Sequence, residues 1–183
     1  DQRDLHLSLR RQRQMCIRDR GERIPDLGIH ERVHRFDVKG KGRLVAIMQD
    51  WHEVIESLGI CKFLVLTPGH LTSIYSLATG RKITVKELHR RGSAIFNLKR
   101  LFNLACGNVE DTLPERLLKE PLKEGGAAGQ VVELEPMLRE YYEYRGWTAD
   151  GLPKKETLEY LGLLKLLEEN KFPAYKQILQ KLS

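Results

Sequence analysis

A carboxylate and a thiol lie five residues apart in the segment Glu56-Ser-Leu-Gly-Ile-Cys61, on either side of a glycine. A carboxylate only accepts hydrogen bonds, so Glu56 suits a ligand edge that presents N–H donors. A thiolate is the ligand that iron–sulfur clusters require, but one cysteine cannot hold a cluster alone. The segment therefore suggests a partial site, in which Cys61 is a candidate cluster ligand and the other thiolates come from elsewhere.

The same six residues also have a purely structural interpretation. Glu56 fits a solvated helix position, and Cys61 fits a small buried apolar group, as free cysteines often are. A thiolate near the carboxyl end of a helix feels an unfavourable dipole, which bound iron and the adjacent Lys62 would offset. Spacing by itself favours the structural interpretation and leaves the cluster ligand as the alternative.

The flanking sequence predicts the helix that positions this segment. Apolar residues recur at helical spacing from Leu44 to Leu58, and Gly59 follows where a left-handed residue often ends a helix. Thr84 and Glu87 have the spacing of a capping box at the start of another helix. Further helices are predicted over residues 70–78, 84–104, after Asp111-Thr-Leu-Pro114, and over 134–144, 156–167 and 173–182. No run of strands is evident, so we predict a mainly α, irregular multi-helix domain.

Composition and charge define three segments. Residues 1–20 carry six arginines and three aspartates, so this segment contributes +3, half of the net charge of +6. The segment resembles translated adapter read-through, and we therefore predict that it is a non-native arm. Residues 21–43 are turn-rich and predict an extended connector. Residues 44–183 form the predicted helical carboxy-terminal domain. The start without Met or an apolar signal core predicts a fragment of a longer protein.

The sequence argues against membrane association and against an oxidising environment. No stretch is long and apolar enough to cross a bilayer, so we expect no membrane association. Three cysteines in a chain without a secretory signal argue against a disulfide framework and predict a reducing cytoplasm.

Cys106 is interpreted as incidental, and the histidines have no metal-ligand spacing. The aromatic residues between Tyr141 and Trp147 are predicted to pack in a helical core rather than to stack on a ligand.

Four stretches resemble, in the same order, motifs of the tungsten-containing aldehyde ferredoxin oxidoreductase family. The first, residues 49–63, resembles the pterin motif D-x-x-G-L-C. The others are Phe102-Asn-Leu104, Asp111-Thr-Leu-Pro-Glu-Arg116, and residues 137–147 followed by Gly151-Leu-Pro153. Pro25-Asp-Leu-Gly-Ile29 and Arg35-Phe36 are compatible with the same region. The resemblance covers roughly residues 22–165 and implies the carboxy-terminal region of a larger enzyme.

The resemblance implies a role for each residue of the segment. Cys61 matches the last cysteine ligand of a [4Fe–4S] cluster, whose other three ligands lie upstream. Glu56 matches an aspartate that accepts hydrogen bonds from the pterin, Ile60 has the position whose main chain contacts that cofactor, and Gly59 permits the close turn. Two residues depart from the pattern, since Glu56 replaces Asp and Ile60 replaces Leu. The longer side chain at position 56 requires the local backbone to lie slightly further from the ligand.

By the same resemblance, the parent enzyme oxidises an aldehyde to a carboxylic acid at a tungsten, or molybdenum, bis-pyranopterin. Electrons leave through the [4Fe–4S] cluster to ferredoxin, and the upstream part of the enzyme completes the site, so we expect this chain to be inactive alone. The second hypothesis, from another class, is a helical module that binds nucleic acid or protein through a basic surface. We do not favour nucleic acid, because half of the basic excess lies in residues 1–20.

Overall fold

The fold is mainly helical, as predicted. A computed structural model describes residues 23–169 apart from positions 35, 62, 63, 65, 108, 109 and 122. Within that part there are seven α-helices, a 3-10 helix and no β-strand. The helices are α1 Lys41–Ser57, α2 Pro68–Thr79, α3 Val85–Ala105, α4 Glu115–Lys119, α5 Leu134–Arg145, α6 Lys155–Tyr160 and α7 Leu163–Glu169, and the 3-10 helix is Pro25–Leu27. The predicted arm 1–20 and the predicted helix over 173–182 lie outside the described residues.

Helix α1 is the central element, packed against α3 and α5. Its apolar stripe, which includes Leu44, Ile47, Trp51 and Val54, is buried. Burial of such a stripe is the main source of stability for an amphipathic helix in a globular fold. The candidate segment is the carboxyl end of this helix, so packing along α1 decides where Glu56 and Cys61 lie.

The start of α1 differs from the prediction, and the reason is a distant residue. The helix begins at Lys41, three residues before Leu44. The carboxylate of Glu140 on α5 accepts hydrogen bonds from the N–H groups of Gly40, at 2.9 and 3.0 Å, and Gly42, at 3.0 Å. An acidic group satisfies the free N–H donors at a helix start and favours the positive end of the helix dipole. The cap comes from 100 residues away, so local sequence gave no signal for it.

Two helix crossings require glycine. A Cβ atom at Gly92 of α3 would lie 2.0 Å from the carbonyl oxygen of Asp50 on α1. A Cβ atom at Gly42 would lie 2.5 Å from the carbonyl oxygen of Met137 and 2.6 Å from the nitrogen of Tyr141 on α5. These separations are far below van der Waals contact, so both neighbours of α1 approach it at backbone distance.

Three buried clusters form the core. The first joins Ile29, Leu44 and Ile47, the second joins Trp51, Val54, Leu71 and Leu88, and the third joins Leu101, Leu104, Leu158, Leu161, Leu163 and Leu167. Ile29 belongs to the segment predicted as an extended connector, yet it is buried in the first cluster. That segment packs onto α1, and its predicted end at residue 43 falls inside the helix.

Of two further helix predictions, one differs from the structure and one is confirmed. The single helix predicted over 156–167 is two short helices, α6 and α7, separated by a turn in which Gly162 has a φ of 73°. A left-handed residue cannot continue an α-helix, and the turn lets α7 fold back onto α3. The helix predicted after Asp111-Thr-Leu-Pro114 is the short helix α4, which begins directly after Pro114. Among the described residues, no helix has the length and apolar character needed to span a membrane.

The α1–α3 crossing generates a test of stability. We expect Gly92→Ala to lower the free energy of unfolding by about 1–3 kcal/mol, because an overpacked interface must separate. Gly69→Ala is the matched control, since its Cβ would meet nothing closer than 3.8 Å and alanine favours the helix. Urea denaturation followed by circular dichroism measures both values. Equal stability of the two variants would contradict the close crossing.

Candidate functional site

The candidate segment is a left-handed helix end at the terminus of α1. Gly59 has a φ of 67°, and its N–H donates to the carbonyl of Glu56 at 3.0 Å. The N–H of Ile60 reaches back to the carbonyl of Ile55 at 3.1 Å. This pair of hydrogen bonds is the Schellman motif, which satisfies carbonyl groups left free at a helix end. The prediction that Gly59 closes the helix in a left-handed conformation is confirmed.

The motif directs neighbouring side chains to opposite sides. Ile60 is half-buried and packs against the second core cluster, together with Ile55. Cys61 is exposed, it forms no disulfide, and its carbonyl accepts a hydrogen bond from the N–H of Leu64 at 2.9 Å. The interpretation of Cys61 as a small buried apolar group is therefore wrong. A hydrophobic anchor at Ile60 holds the adjacent thiol at the surface of the described chain.

Glu56 and Gly59 lie on the exposed part of the same turn. Both residues are exposed, and among the described residues other than its two chain neighbours no atom lies within 4 Å of the position that a Cβ of Gly59 would occupy. The N–H of Ile60 is already used inside the turn, so its carbonyl is the main-chain group with capacity for a ligand. The structure thus brings the four predicted residues together into one exposed helix end, here called the Glu56–Cys61 turn. Lys62 and Phe63 of the same motif lie outside the described residues.

A buried arginine fixes the helix that carries this turn. The side chain of Arg145 on α5 is 1% exposed and forms an ion pair with Asp50 on α1, which is 3% exposed. The guanidinium also donates to the carbonyl of Ala46 and the side-chain oxygen of Gln49, both at 3.1 Å. It lies 3.9 Å from the ring centroid of Phe96 on α3. One side chain therefore ties together the three central helices, and its buried charge is compensated from every side.

The pKa of Arg145 is consistent with its ion pair and hydrogen bonds. Burial by itself would lower the pKa of the guanidinium, but Tyr141 and Asp50 raise it, and the net direction is upward. The Tyr141 hydroxyl accepts from the Arg145 Nε at 3.0 Å and donates to Gln49 at 2.6 Å. Arg145 therefore stays charged inside the core. The hydrogen bonds from Arg145 and Tyr141 to Gln49 and Asp50 align α1 against α5.

A second ion pair ties α1 to α3 one turn before Glu56. Glu53 is 3% exposed, and its carboxylate lies 2.5 Å from the Lys99 ammonium, which is 55% exposed. Burial raises the pKa of Glu53, and the hydrogen bond from Lys99 opposes that rise. Lys99 therefore compensates a carboxylate that packing holds away from water. Asp50 and Glu53 together fix the orientation of the last three turns of α1.

The downstream motif residues have structural roles in the fold. Asp111 forms an ion pair with Arg100 of α3: it accepts a hydrogen bond from Nη1 at 3.1 Å, and its other oxygen lies 2.8 Å from Nη2. Asp111 also accepts from the Tyr142 hydroxyl at 2.7 Å. Burial and Asp111 raise the pKa of Tyr142. The Trp147 indole is buried and donates to Asn97 at 2.8 Å. These contacts attach the chain after α3 and the end of α5 to α3, far from the Glu56–Cys61 turn in sequence.

The structure also places the remaining candidate residues. Tyr141, Tyr142 and Trp147 pack edge to face or tilted, with centroids 5.6–6.0 Å apart, which confirms a packing role, whereas Tyr144 is 44% exposed. His70 lies in the first turn of α2 and completes a capping box with Thr67. Cys106 is exposed at the end of α3. In the part of the chain that is described, no three His, Cys, Asp or Glu side chains are grouped to hold a metal ion.

Comparison with known proteins identifies the class. The family profile described as aldehyde ferredoxin oxidoreductase, domains 2 and 3, matches residues 8–163. The tungsten-containing aldehyde ferredoxin oxidoreductase of Pyrococcus horikoshii is 41% identical over 143 residues, which are 75% of this chain and 24% of that protein. The Thermococcus kodakarensis enzyme of the same name is 36% identical over 147 residues, with 77% and 24% covered. The WOR-like subunit of a Pyrococcus furiosus aliphatic sulfonate oxidoreductase is 31% identical over 150 residues, with 74% and 23% covered.

The fold and these similarities define an oxidoreductase-type helical domain. The chain belongs to the aldehyde ferredoxin oxidoreductase family, as the sequence motifs predicted. It spans about a quarter of the length of the curated relatives it matches. The matched range begins at residue 8, inside the predicted arm, and the non-native origin of residues 1–20 stays a prediction.

The Arg145 network generates a prediction about stability. Arg145→Met keeps the apolar volume but leaves Asp50 buried without its partner, so we expect a loss of about 3–5 kcal/mol in the free energy of unfolding. Arg139→Met on the same helix is the control, since the Arg139–Glu135 pair is exposed and should change stability by less than about 0.5 kcal/mol. Urea denaturation compares them. A small loss for both would show that α1 does not depend on Arg145.

The helix end generates a second prediction. Gly59→Ala and Gly80→Ala each place a side chain at a left-handed φ, 67° and 69°, with open space around the Cβ. We expect both to lower stability by a similar amount, about 1 kcal/mol, because the cost is conformational rather than steric. Only Gly59→Ala should also change the rate at which a thiol reagent modifies Cys61. An equal modification rate in both variants would mean that Gly59 does not set the position of the thiol.

Proposed function

We propose that this chain is the part of a tungsten-dependent aldehyde oxidoreductase that supplies the final cysteine ligand of a [4Fe–4S] cluster and pterin contacts. Cys61 is the cluster ligand, Glu56 accepts hydrogen bonds from the pterin, and the main chain at Gly59 and Ile60 lies against that cofactor. The single observation that carries the proposal is the exposed, disulfide-free thiol held beside an exposed carboxylate on a rigid helix end. The family membership of the chain supports it.

The residues present fit both cofactors in their donor chemistry. A free thiol suits iron, and a carboxylate with a main-chain carbonyl suits the N–H edge of a pterin. Open space at Gly59 leaves room for a flat ligand to approach the backbone. The Schellman hydrogen bonds and the Ile60 anchor fix the thiol and the carboxylate relative to each other before any ligand binds. Further cluster ligands must come from outside the described residues.

The reaction we assign is the two-electron oxidation of an aldehyde and water to a carboxylic acid, with release of two protons. The cofactor supplies the redox chemistry, while this chain orients it and excludes water from one side. The two electrons pass to two one-electron ferredoxins. We also assign the enzyme to a reducing cytoplasm, where Cys61 and Cys106 stay free as thiols. An aldehyde is favoured over a sulfonate because the relatives named for aldehydes share 36–41% identity with the chain, against 31%.

The proposal predicts a selective loss of iron. In the intact enzyme, Cys61→Ser should remove the cluster and reduce bound iron by most of its content, since serine is a poor iron ligand. Cys106→Ser is the matched control, because Cys106 is also an exposed thiol at the end of a helix. Iron analysis and electron paramagnetic resonance of the reduced proteins measure the difference.

Two outcomes of that experiment would contradict the proposal. Full iron content and an unchanged cluster spectrum in Cys61→Ser would remove Cys61 from the ligand set. Equal losses in both variants would point to general thiol damage instead of ligation. Tungsten and pterin analysis of Glu56→Ala against Glu56→Asp provides a second measurement, in which only the alanine variant should lose pterin.

A further inference from the structure

Helix α2 lacks the charged outer face of an ordinary surface helix. The longest stretch of the chain without Asp, Glu, Lys or Arg is residues 63–80, and it includes all of α2. Charged residues make up 31% of the whole chain, so this stretch departs clearly from the average composition. A helix at the surface of a globular protein normally carries charged and polar residues on the face away from the core. The outer face of α2 is therefore poorly suited to contact with water.

The outer face of α2 is apolar and exposed in the described part of the chain. Leu71, on the inner face, is buried in the second core cluster. Ile74 is 47% exposed, Leu77 is 86% exposed, and Ala78 is also exposed. Residues three and four positions apart lie on the same side of a helix, so these three side chains form one exposed stripe. We call Ile74, Leu77 and Ala78 the α2 stripe.

The exposed hydroxyl groups of α2 are satisfied inside the helix. Ser73 donates to the carbonyl of Gly69 at 2.9 Å, and Thr79 donates to the carbonyl of Tyr75 at 2.8 Å. Both side chains are exposed, yet each hydroxyl donor is used by the backbone of its own helix. A hydroxyl group that already has a partner in the protein costs little to remove from water. The polar side chains of α2 therefore add little to the cost of covering its outer face.

The α2 stripe lies on the segment that directly follows the candidate site. Six residues separate Cys61 from Pro68, the first residue of α2. Within that connection, Leu64 is 58% exposed, and its N–H donates to the carbonyl of Cys61 at 2.9 Å. On the other side of the thiol in sequence, Leu58 is 37% exposed. Exposed apolar side chains therefore occur on both sides of Cys61 along the chain and continue into α2.

We propose that the α2 stripe packs against the remaining part of the full-length enzyme, as a permanent contact between two regions of one polypeptide. The chain covers only 24% of the length of the curated relatives, so most of each relative lies outside the region that is similar to this chain. Contiguous exposed apolar surface of this kind marks an interaction site. The inference rests on family membership and goes beyond the cofactor roles proposed above.

The chemistry and the size of the stripe favour this occupant. Permanent interfaces resemble a protein core, whereas interfaces that form and dissociate keep more polar groups, and α2 has no charged residue. The 12 residues of α2 span about 18 Å, so a face about 10 Å wide presents about 200 Å². A stable complex between separate chains needs about 800 Å² from each partner. Covalent connection raises the effective concentration, so a smaller face is sufficient within one polypeptide.

The test is photo-crosslinking in the intact enzyme. Leu77 is replaced by p-benzoylphenylalanine, which forms a covalent bond with neighbouring C–H groups under near-ultraviolet light. The same replacement at Leu117 is the matched control, because Leu117 is also an exposed leucine on a helix. Its helix carries the exposed ion pair between Glu115 and Lys119, which is typical of a surface in water. Mass spectrometry of the digested products identifies the peptide that is attached.

We expect the Leu77 variant to crosslink to a peptide of the same polypeptide from outside residues 1–183, and the Leu117 variant to give no such product. Lysine substitutions provide a second measurement that does not need the photoreactive group. Leu77→Lys should lower the Tm of the intact enzyme by about 5 °C, because it places a charge in an apolar contact, and Leu117→Lys should lower it by less than about 1 °C.

Other products overturn the inference and identify the occupant. A crosslinked product of doubled mass assigns the stripe to an interface between two copies of the enzyme. A crosslink to residues 170–183 assigns it to the carboxy-terminal segment of this chain. No crosslink at Leu77, together with equal Tm values for the two lysine variants, means that the stripe stays in water. None of these measurements uses iron or pterin content, so the proposed cofactor roles are judged separately by Cys61→Ser.

Discussion

The buried charge of Arg145 is the constraint on which the arrangement of this domain depends. A guanidinium that is 1% exposed is tolerated only if its charge and its N–H groups are compensated. Asp50, Gln49 and the carbonyl of Ala46 provide that compensation, and all three belong to α1. Only one translation and one rotation of α1 against α5 satisfy them together. The network therefore fixes the register of the helix that ends in the Glu56–Cys61 turn.

The other contacts of α1 also fix its position against α3 and α5. Glycine at positions 42 and 92 allows α5 and α3 to approach at backbone distance, and Glu140 caps the helix start. The buried Glu53 carboxylate, paired with Lys99, fixes the final turns. The proposed role of Cys61 as a cluster ligand would require its sulfur at a defined place before the metal binds, and a helix held by both α3 and α5 is a suitable support. The contacts that stabilise α1 therefore also fix the position of the turn at its end.

The conformation of the Glu56–Cys61 turn depends both on local backbone hydrogen bonds and on packing in the core. The left-handed Gly59 and the Schellman hydrogen bonds end the helix, which is a local effect of the backbone. The direction of the chain after the turn is decided by Ile60, whose side chain packs into the second core cluster. Cys61 is exposed beside this half-buried neighbour.

The sequence by itself determined the helical class, the helix that carries the candidate site, its glycine end, the capping box at Thr84 and the family. Each of these predictions depends on periodicity or on residues within a few positions of one another, and such patterns can be read from the sequence without the tertiary structure. Only the tertiary structure decided that α1 begins at Lys41 and that the predicted connector packs in the core. It also decided that Cys61 is exposed and that Arg145 pairs with Asp50. Those facts depend on contacts between residues up to 100 positions apart, which no local pattern encodes.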